Sequence, residues 1–342
     1  MRYVLEGSVR RLGEKVEVNA QLISTETGAH VWADRFEGER SKLGELQLDV
    51  VSRLARSLNV ELIKAEALRA ARERPNNPDA ADLAMRASAR FNSNADSSKS
   101  VNSDVIDLDE RALALDPQNE RAMADLAMAV DDRVTMRWSE DPAGDLARAD
   151  KLADSALALR PNDARAHMAK AEVSFNKQQW AAAISQGEAA LADDPNYALA
   201  RAEPSFWNIF LGHAEDSFAG IETALRLSPR DPDMSWWQWF RCHAHTHLAQ
   251  WQQAIEWCGK SIASGNQSFF PFIDLAAANA WAGHDKEAKE AVIQLQKVFP
   301  GFTVQTWAGM HWSDDPTFNE QYARIVEGLR KAGLPEGEKK PN

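Results

Sequence analysis

Four near-identical phrases, ALALDP, ALALRP, ALADDP and ALRLSP, close on prolines along the middle of the chain, at Pro117, Pro161, Pro195 and Pro229. The last three prolines recur at a spacing of 34 residues. A fixed period of this length is typical of a two-helix unit that cannot bury its apolar face alone. The spacing therefore predicts a stacked α-solenoid whose units pack on their neighbours.

Composition narrows the kinds of partner that such a solenoid could have. The 342 residues carry a net charge of −12, and residues 1–74 hold 13 basic against 12 acidic side chains, so the remainder carries −13. This charge argues against a nucleic-acid surface. The sequence has neither a signal-like start nor an apolar run of the roughly 18 residues that a membrane helix needs. We therefore expect a cytoplasmic protein without a membrane segment.

Residues 2–37 alternate apolar and polar side chains in three runs, which predicts three half-buried strands. Gly13 and the Thr27-Gly28 pair separate the runs, where an antiparallel meander reverses direction. From Leu43 to about Arg72 apolar residues recur at steps of three and four, which predicts one long helix. We expect these elements to form a small α+β segment over residues 1–74.

This first segment resembles a known domain. The phrases YVLEGSVRR and VEVNAQLISTETGAHVWADRFEGE, with the helix after them, are similar to the second half of a TolB-like amino-terminal domain. The resemblance spans residues 2–65 and implies an αβ segment before the strands. We therefore expect Met1 to be an internal start or a truncation.

The repeated region extends over residues 77–300. Between Asn162 and Pro300, small residues form three columns at steps of 34, 37 and 34. The columns contain Ala171, Ser205, Cys242 and Ala276; Ala183, Ser217, Ala254 and Ala288; and Ala190, Ala224, Ser261 and Leu295. They resemble the tetratricopeptide (TPR) pattern, which implies a mainly α-helical solenoid of about six repeats. Two earlier units are longer, and we expect the additions, 92–103 and 138–145, to be loops.

The last part of the chain departs from the repeat. We expect residues 301–334 to contain a capping helix with Phe318, Tyr322 and Leu329 on one face, and residues 335–342 to be a disordered tail. The ending GLRKAGLPE resembles that of long bacterial proteins in which a class III nucleotide cyclase domain precedes a TolB-like segment and repeats.

The sequence offers little that could support catalysis. The segment from Gly7 to Lys15 fails the spacing of a phosphate-binding loop. A class III cyclase needs paired metal-binding aspartates on a ferredoxin-like sheet, and this chain lacks such strands. We therefore predict that the protein is not an enzyme and uses no cofactor.

Cys242, His243, His245 and His247 form a cluster, with Cys258 sixteen residues after the first cysteine. His243 and His247 stand at i and i+4, a spacing that metal ligands use, but the cysteines fall in the packing columns on another face of the helix. We interpret the cluster as a structural or groove cluster, with no metal, and expect the two cysteines to be a reduced, packed pair.

Aromatic residues mark the other candidate site. First helices of TPR units line a concave groove, and a stripe at steps of three and four should face it. Its members are Met168, Glu172, Phe206, Ile209, Trp236, Trp239, His243, His247, Phe270 and Ile273. The stripe is either a peptide-binding groove or part of the core. A groove of this composition in an acidic solenoid favours apolar or basic protein or peptide partners.

Three hypotheses follow from these observations. The first is a non-catalytic scaffold or regulatory module that binds a protein or peptide in bacterial signalling. The second is the regulatory carboxyl-terminal region of a class III adenylate cyclase that lacks the catalytic domain. The third is the corresponding region of a winged-helix transcriptional regulator.

Overall fold

Three antiparallel strands open the chain in a computed structural model, which describes residues 2–74, 78–92 and 98–337. They are β1 (Tyr3–Leu12), β2 (Lys15–Ser24) and β3 (His30–Glu39), in the order β1-β2-β3. Val18 pairs with Val9 on one side and with Phe36 on the other, so the alternation in the sequence sets the register. The predicted meander is confirmed.

The helix α1 (Leu43–Glu73) packs on this sheet. Val50 is buried against Trp32 and Phe36, and Leu54, Leu58 and Leu62 pack around the same cluster. The side chains of Leu43 and Leu46 lie outside the described set. On β1 the apolar side chains Leu5 and Val9 stay 49% and 72% exposed, whereas Tyr3 at the start of the strand packs on the cluster and donates a hydrogen bond to Glu66 of α1 at 2.9 Å.

Six helical hairpins follow and form a TPR-like α-solenoid. Their first and second helices are α2 (Ala80–Phe91) and α3 (Lys99–Leu115), α4 (Glu120–Thr135) and α5 (Pro142–Leu159), α6 (Ala164–Asn176) and α7 (Trp180–Asp193), α8 (Ala198–Trp207) and α9 (Ser217–Leu227), α10 (Met234–His247) and α11 (Trp251–Ala263), and α12 (Phe270–Ala282) and α13 (Asp285–Val298). Short 3-10 turns stand at Arg40–Lys42, Asn208–Leu211 and Ala214–Asp216. The expected number of repeats is confirmed.

The small-residue columns lie where the paired helices meet. Ala183, Ala190, Ala254 and Ala276, for example, are all fully buried. First helices of neighbouring units also contact each other, at α2 with α4, α4 with α6, α8 with α10 and α10 with α12. The first helices therefore line the concave side of the solenoid.

The period also appears in the backbone. The turn between the two helices of a unit has a residue with positive φ at Gln178, Gly212, Ala249 and Gly283, which repeat at steps of 34, 37 and 34. This left-handed conformation costs least at glycine, which two of the four turns have. The same geometry is thus imposed on Gln178 and Ala249, whose φ angles are 58° and 56°.

Both predicted insertions are shorter than expected. The helix α3 begins at Lys99, inside the segment predicted to be a loop, because Ser98 accepts a hydrogen bond from the Val101 N–H and caps it. Likewise, α5 begins at Pro142, with Asp141 as its N-cap. Proline fits the first turn of a helix, so its presence at this point does not extend the loop.

The carboxyl-terminal segment folds back on the solenoid. After the short helix α14 (Val304–Ala308), α15 (Pro316–Ala332) packs against α10 and α12 and against the 208–211 turn. Residues 335 and 336, which were expected to belong to the disordered tail, are bonded to α14, because the carbonyls of Pro335 and Glu336 accept hydrogen bonds from the Val304 and Gln305 N–H groups at 2.9 and 3.0 Å. Residues 338–342 of the expected disordered tail lie outside the described residues.

Candidate functional site

A cavity of about 200 Å³ opens on the concave side between α4, α6, α8 and α10. Phe206, Trp236 and Phe270 line it from the solenoid, and Trp307 and Phe318 line it from the carboxyl-terminal segment. Its walls are therefore largely aromatic. Rings placed in this way offer apolar surface and negatively polarised faces to a ligand.

The structure divides the predicted stripe into two groups. Six of its members line the cavity: Glu172, Phe206, Trp236, Trp239, His243 and Phe270. The other four, Met168, Ile209, His247 and Ile273, are at most 1% exposed and belong to the packed interior. Within the first group, Trp236 remains partly exposed, whereas Trp239 is only 6% exposed.

Trp239 and His243 are held by a buried hydrogen-bond network. The Trp239 Nε1–H donates to the Asp274 carboxylate at 2.8 Å, and His243 Nδ1 lies 3.0 Å from both oxygens of that carboxylate. His243 Nε2 is 3.1 Å from His247 Nε2, and His247 Nδ1 is 3.1 Å from Gln321 Oε1 of α15. Burial, and then the neighbouring His243, lowers the pKa of His247 well below its usual range. The network therefore joins α10, α12 and α15.

Acidic side chains occupy the amino-terminal half of the cavity. They are Asp131 and Asp132 of α4, Glu172 of α6, Glu203 of α8 and Asp233, which precedes α10. Asp131 is 2% exposed, and the other four reach the solvent of the cleft while protein surrounds them on their remaining sides. Burial raises the pKa of Asp132 to about 7, with repulsion from Asp233 as the second cause. Burial and mutual repulsion also raise the pKa values of Asp131, Glu172 and Glu203.

The prediction of a reduced cysteine pair is wrong in this structure. Cys242 of α10 and Cys258 of α11 form a disulfide, with their Cα atoms 5.2 Å apart. Cys242 belongs to the first small-residue column and faces Cys258 of the paired helix, where the two helices approach within bridging distance. Asp274 lies close to the two sulfur atoms, all within 4.8 Å of one another. Because the metal-binding form of cysteine is the thiolate, the disulfide removes both sulfurs from metal ligation.

Comparison with known proteins supports the fold more than any activity. No protein-family model matches the chain. It is 30% identical over 168 residues to a protein named "Putative adenylate cyclase 3" from Rhizobium meliloti (strain 1021), a match over 49% of this chain and 28% of that protein. The chain thus spans less than a third of the length of this relative.

Two solved structures share the helical-repeat architecture. The chain is similar to the APC/C hetero-tetramer Cut9–Hcn1, with a TM-score of 0.56 and 11% identity over 80% of this chain and 47% of that chain. It is also similar to the human IFIT1 dimer with PPP-AAAA, with a TM-score of 0.54 and 14% identity over 74% and 60% of the two chains. At these identities the likeness shows the fold alone.

Across the described ranges, no helix combines the length and the apolar character needed to cross a bilayer.

Proposed function

We propose that this protein is a non-catalytic scaffold that binds a peptide or protein segment with apolar or basic side chains in its concave cavity. The helical-repeat fold supports an interaction role, because stacked repeats offer an extended concave surface. The observation that carries the proposal is the aromatic wall of the cavity, where Trp236 stays partly exposed beside the buried rings of Trp239 and Phe270. Such partly open aromatic side chains dominate the binding energy of many interfaces.

The arrangement of the rings supports an elongated occupant. Trp236 meets Trp239 edge to face at 5.7 Å and Phe270 at 6.2 Å, so the three rings form one continuous surface between α10 and α12. Phe206 stacks on Phe240 at 4.1 Å and extends that surface toward α8. A peptide lying along these helices would meet apolar surface first and the carboxylates beyond it.

The test is selection of peptides from a displayed library on the full chain, followed by affinity measurement on two variants. We expect Trp236→Ala to weaken the selected peptides at least about tenfold, since loss of an interface tryptophan often costs 2 kcal/mol or more. Trp257→Ala is the matched control, because Trp257 of α11 is also partly exposed but does not line the cavity. Equal binding to wild type and Trp236→Ala would contradict the proposal.

The likeness to the cyclase-named protein favours a second possibility, that this chain is a regulatory region in a signalling protein of that kind. Codons for a catalytic domain in frame before Met1 would support it. A stop codon and promoter directly before Met1 would argue against it.

The cytoplasmic location is a separate hypothesis, and the disulfide makes it testable. Disulfides persist mainly in oxidising compartments. Cells should therefore be quenched rapidly in acid and the protein alkylated under denaturing conditions, because both cysteines are buried in the folded state. Cys242 and Cys258 should be labelled if the protein is cytoplasmic and remain unlabelled if it is exported.

A further inference from the structure

The acidic half of the cavity brings together the carboxyl groups of Asp131, Asp132, Glu172, Glu203 and Asp233. Within residues 2–74, 78–92 and 98–337, no lysine or arginine lines this cavity. Two basic side chains close to it already have acidic partners. Lys177 donates to Asp150 at 2.5 Å, and Arg165 donates to Asp125. The fold therefore concentrates carboxyl groups at this place, while Arg165 and Lys177 form ion pairs with acids that do not line the cavity.

Asp131 also presents an acceptor atom that the described protein does not use. It is 2% exposed and accepts a hydrogen bond from Asn176 at 2.6 Å through Oδ2, whereas its Oδ1 has no partner among the described residues. Glu203 differs, because its side chain forms a hydrogen bond with Glu172. Buried acceptors are normally satisfied, so Asp131 Oδ1 points to a donor supplied from outside the chain.

The spread of the carboxylates argues against a single metal ion. In the described part of the chain, the group of acidic, histidine or cysteine ligand atoms that lie within 4.8 Å of one another is formed by Cys242, Cys258 and Asp274, and not by the acids of the cavity. The aromatic walls are also unsuited to a hydrated metal, but they do favour cations with an apolar stem. Carboxyl groups from several helices beside apolar surface fit a ligand that carries more than one positive group on an apolar stem.

We propose that the cavity binds an extended organic cation with two or more amino or guanidino groups on an apolar chain. Two sources have this chemistry: a free polyamine, and the lysine or arginine side chains of a peptide. The inference deepens the proposed function, on which its peptide arm rests. One amino group would contact the hydrogen-bonded pair Glu172 and Glu203, and another would contact Oδ1 of Asp131. The apolar chain would lie against Phe206 and Trp236.

The titration of the carboxylates gives this binding a pH dependence. The pKa values of Asp131, Glu172 and Glu203 are raised and that of Asp132 is raised to about 7, so part of the cluster is protonated near pH 6 and must release protons when a cation binds. Since an alkyl amine keeps its charge to about pH 10, affinity should rise from about pH 5.5 to about pH 8. The charged or titratable groups around the cluster come from α4, α6, α8 and the start and middle of α10: Asp131, Asp132, Arg165, Glu172, Lys177, Glu203, Asp233 and His243.

Calorimetric titration of the full chain tests the proposal with two probes, spermidine and a capped peptide with lysine at both ends and leucine between them. We expect one or both to bind with proton release. Glu203→Gln should weaken binding at least about tenfold, because it removes a charged hydrogen-bond acceptor for the bound amine. Asp132→Asn is a second variant that removes a charge from another helix. The control is Glu256→Gln on α11, where the side chain is 59% exposed.

Each outcome has a defined meaning. Binding of spermidine that is weakened in both cavity variants supports a free polyamine, and binding of the lysine peptide alone, with the same losses, supports a peptide ligand. The proposal is overturned if neither probe binds, or if both variants bind the probes as tightly as the wild type does. It is also overturned if magnesium chloride, at the same concentration of positive charge as the probe, displaces the probe. Peptides selected through Trp236 could still bind if both amine probes fail, so this failure is distinguishable from failure of the proposed function.

Discussion

Asp109 of α3 provides the sharpest test of the electrostatics in the solenoid. It is fully buried, and neither carboxylate oxygen has a hydrogen-bond partner among the described residues. Burial, followed by repulsion from Asp125, raises its pKa to about 10, although Arg165 and Arg121 act in the opposite direction. The native protein should therefore hold Asp109 protonated at neutral pH.

The effect on stability follows from the difference between the folded and unfolded pKa values. An unfolded aspartate releases its proton near pH 3.9, whereas Asp109 in the folded state keeps it. Between the unfolded and the folded pKa, the folded protein therefore holds one more proton than the unfolded protein. The contribution of Asp109 to stability is therefore complete below about pH 4. Above that pH the free energy of unfolding falls by about 1.4 kcal/mol per pH unit until the folded pKa is reached. Between pH 5 and pH 8 the titration of Asp109 alone should lower the free energy of unfolding by roughly 4 kcal/mol.

Asp109→Asn cannot titrate and should lack this loss. Whatever constant cost the buried amide brings, the free energy of unfolding of the variant should rise by roughly 4 kcal/mol relative to wild type between pH 5 and pH 8. Urea unfolding followed by helical circular dichroism at several pH values measures this difference. Asp107→Asn, at a site on the same helix where the side chain is 66% exposed, is the control. Parallel pH profiles for wild type and Asp109→Asn would refute the reasoning.

Two further predictions concern the packing of the repeats. Gly187→Ala should lower the free energy of unfolding by about 1–3 kcal/mol, because the new Cβ would lie 2.2 Å from Cγ of Pro204. Gly259→Ala, where the new Cβ meets open space, should raise the free energy of unfolding by about 0.5–1 kcal/mol. Thermal unfolding of both variants measures the two effects, and equal shifts in melting temperature would contradict the close helix contact at Gly187. Cys242→Ser should lower the free energy of unfolding by about 2–4 kcal/mol in non-reducing buffer, because it removes the disulfide to Cys258. A reductant should remove most of the difference between the variant and the wild type. An unchanged melting temperature would show that the disulfide does not form in solution.

The repeat architecture could be predicted from the sequence because it depends on local spacing. Small residues such as Ala183 and Ala254 stand where paired helices touch, so their period directly records the packing. The left-handed turns repeat in the same register, and glycine marks two of them. The division of the aromatic stripe could not be predicted in this way. Whether His247 is groove or core depends on Gln321, 74 residues later, and on how α15 folds back.

The acidic cluster was largely missed for a related reason. Glu172 was predicted to line the groove, and Phe206 is its equivalent in the next repeat. Glu203 lies about one helical turn before Phe206, so it does not share that register, and Asp131 and Asp132 come from a unit of different length. Aligning equivalent positions of the repeats therefore does not reveal that these carboxylates are neighbours in the fold. Acidic residues inside otherwise apolar first helices are the signal that could have found them.

The position of α15 changes how the two ends of the solenoid should unfold. In a simple repeat array, each unit depends only on its neighbours, so either end can fray one repeat at a time. Here α15 contacts α10, α12, α13 and the 208–211 turn, and so links units that are separated in sequence. Loss of this helix would expose all of them together. We expect the carboxyl-terminal repeats to unfold as one cooperative block, while the amino-terminal repeats open stepwise.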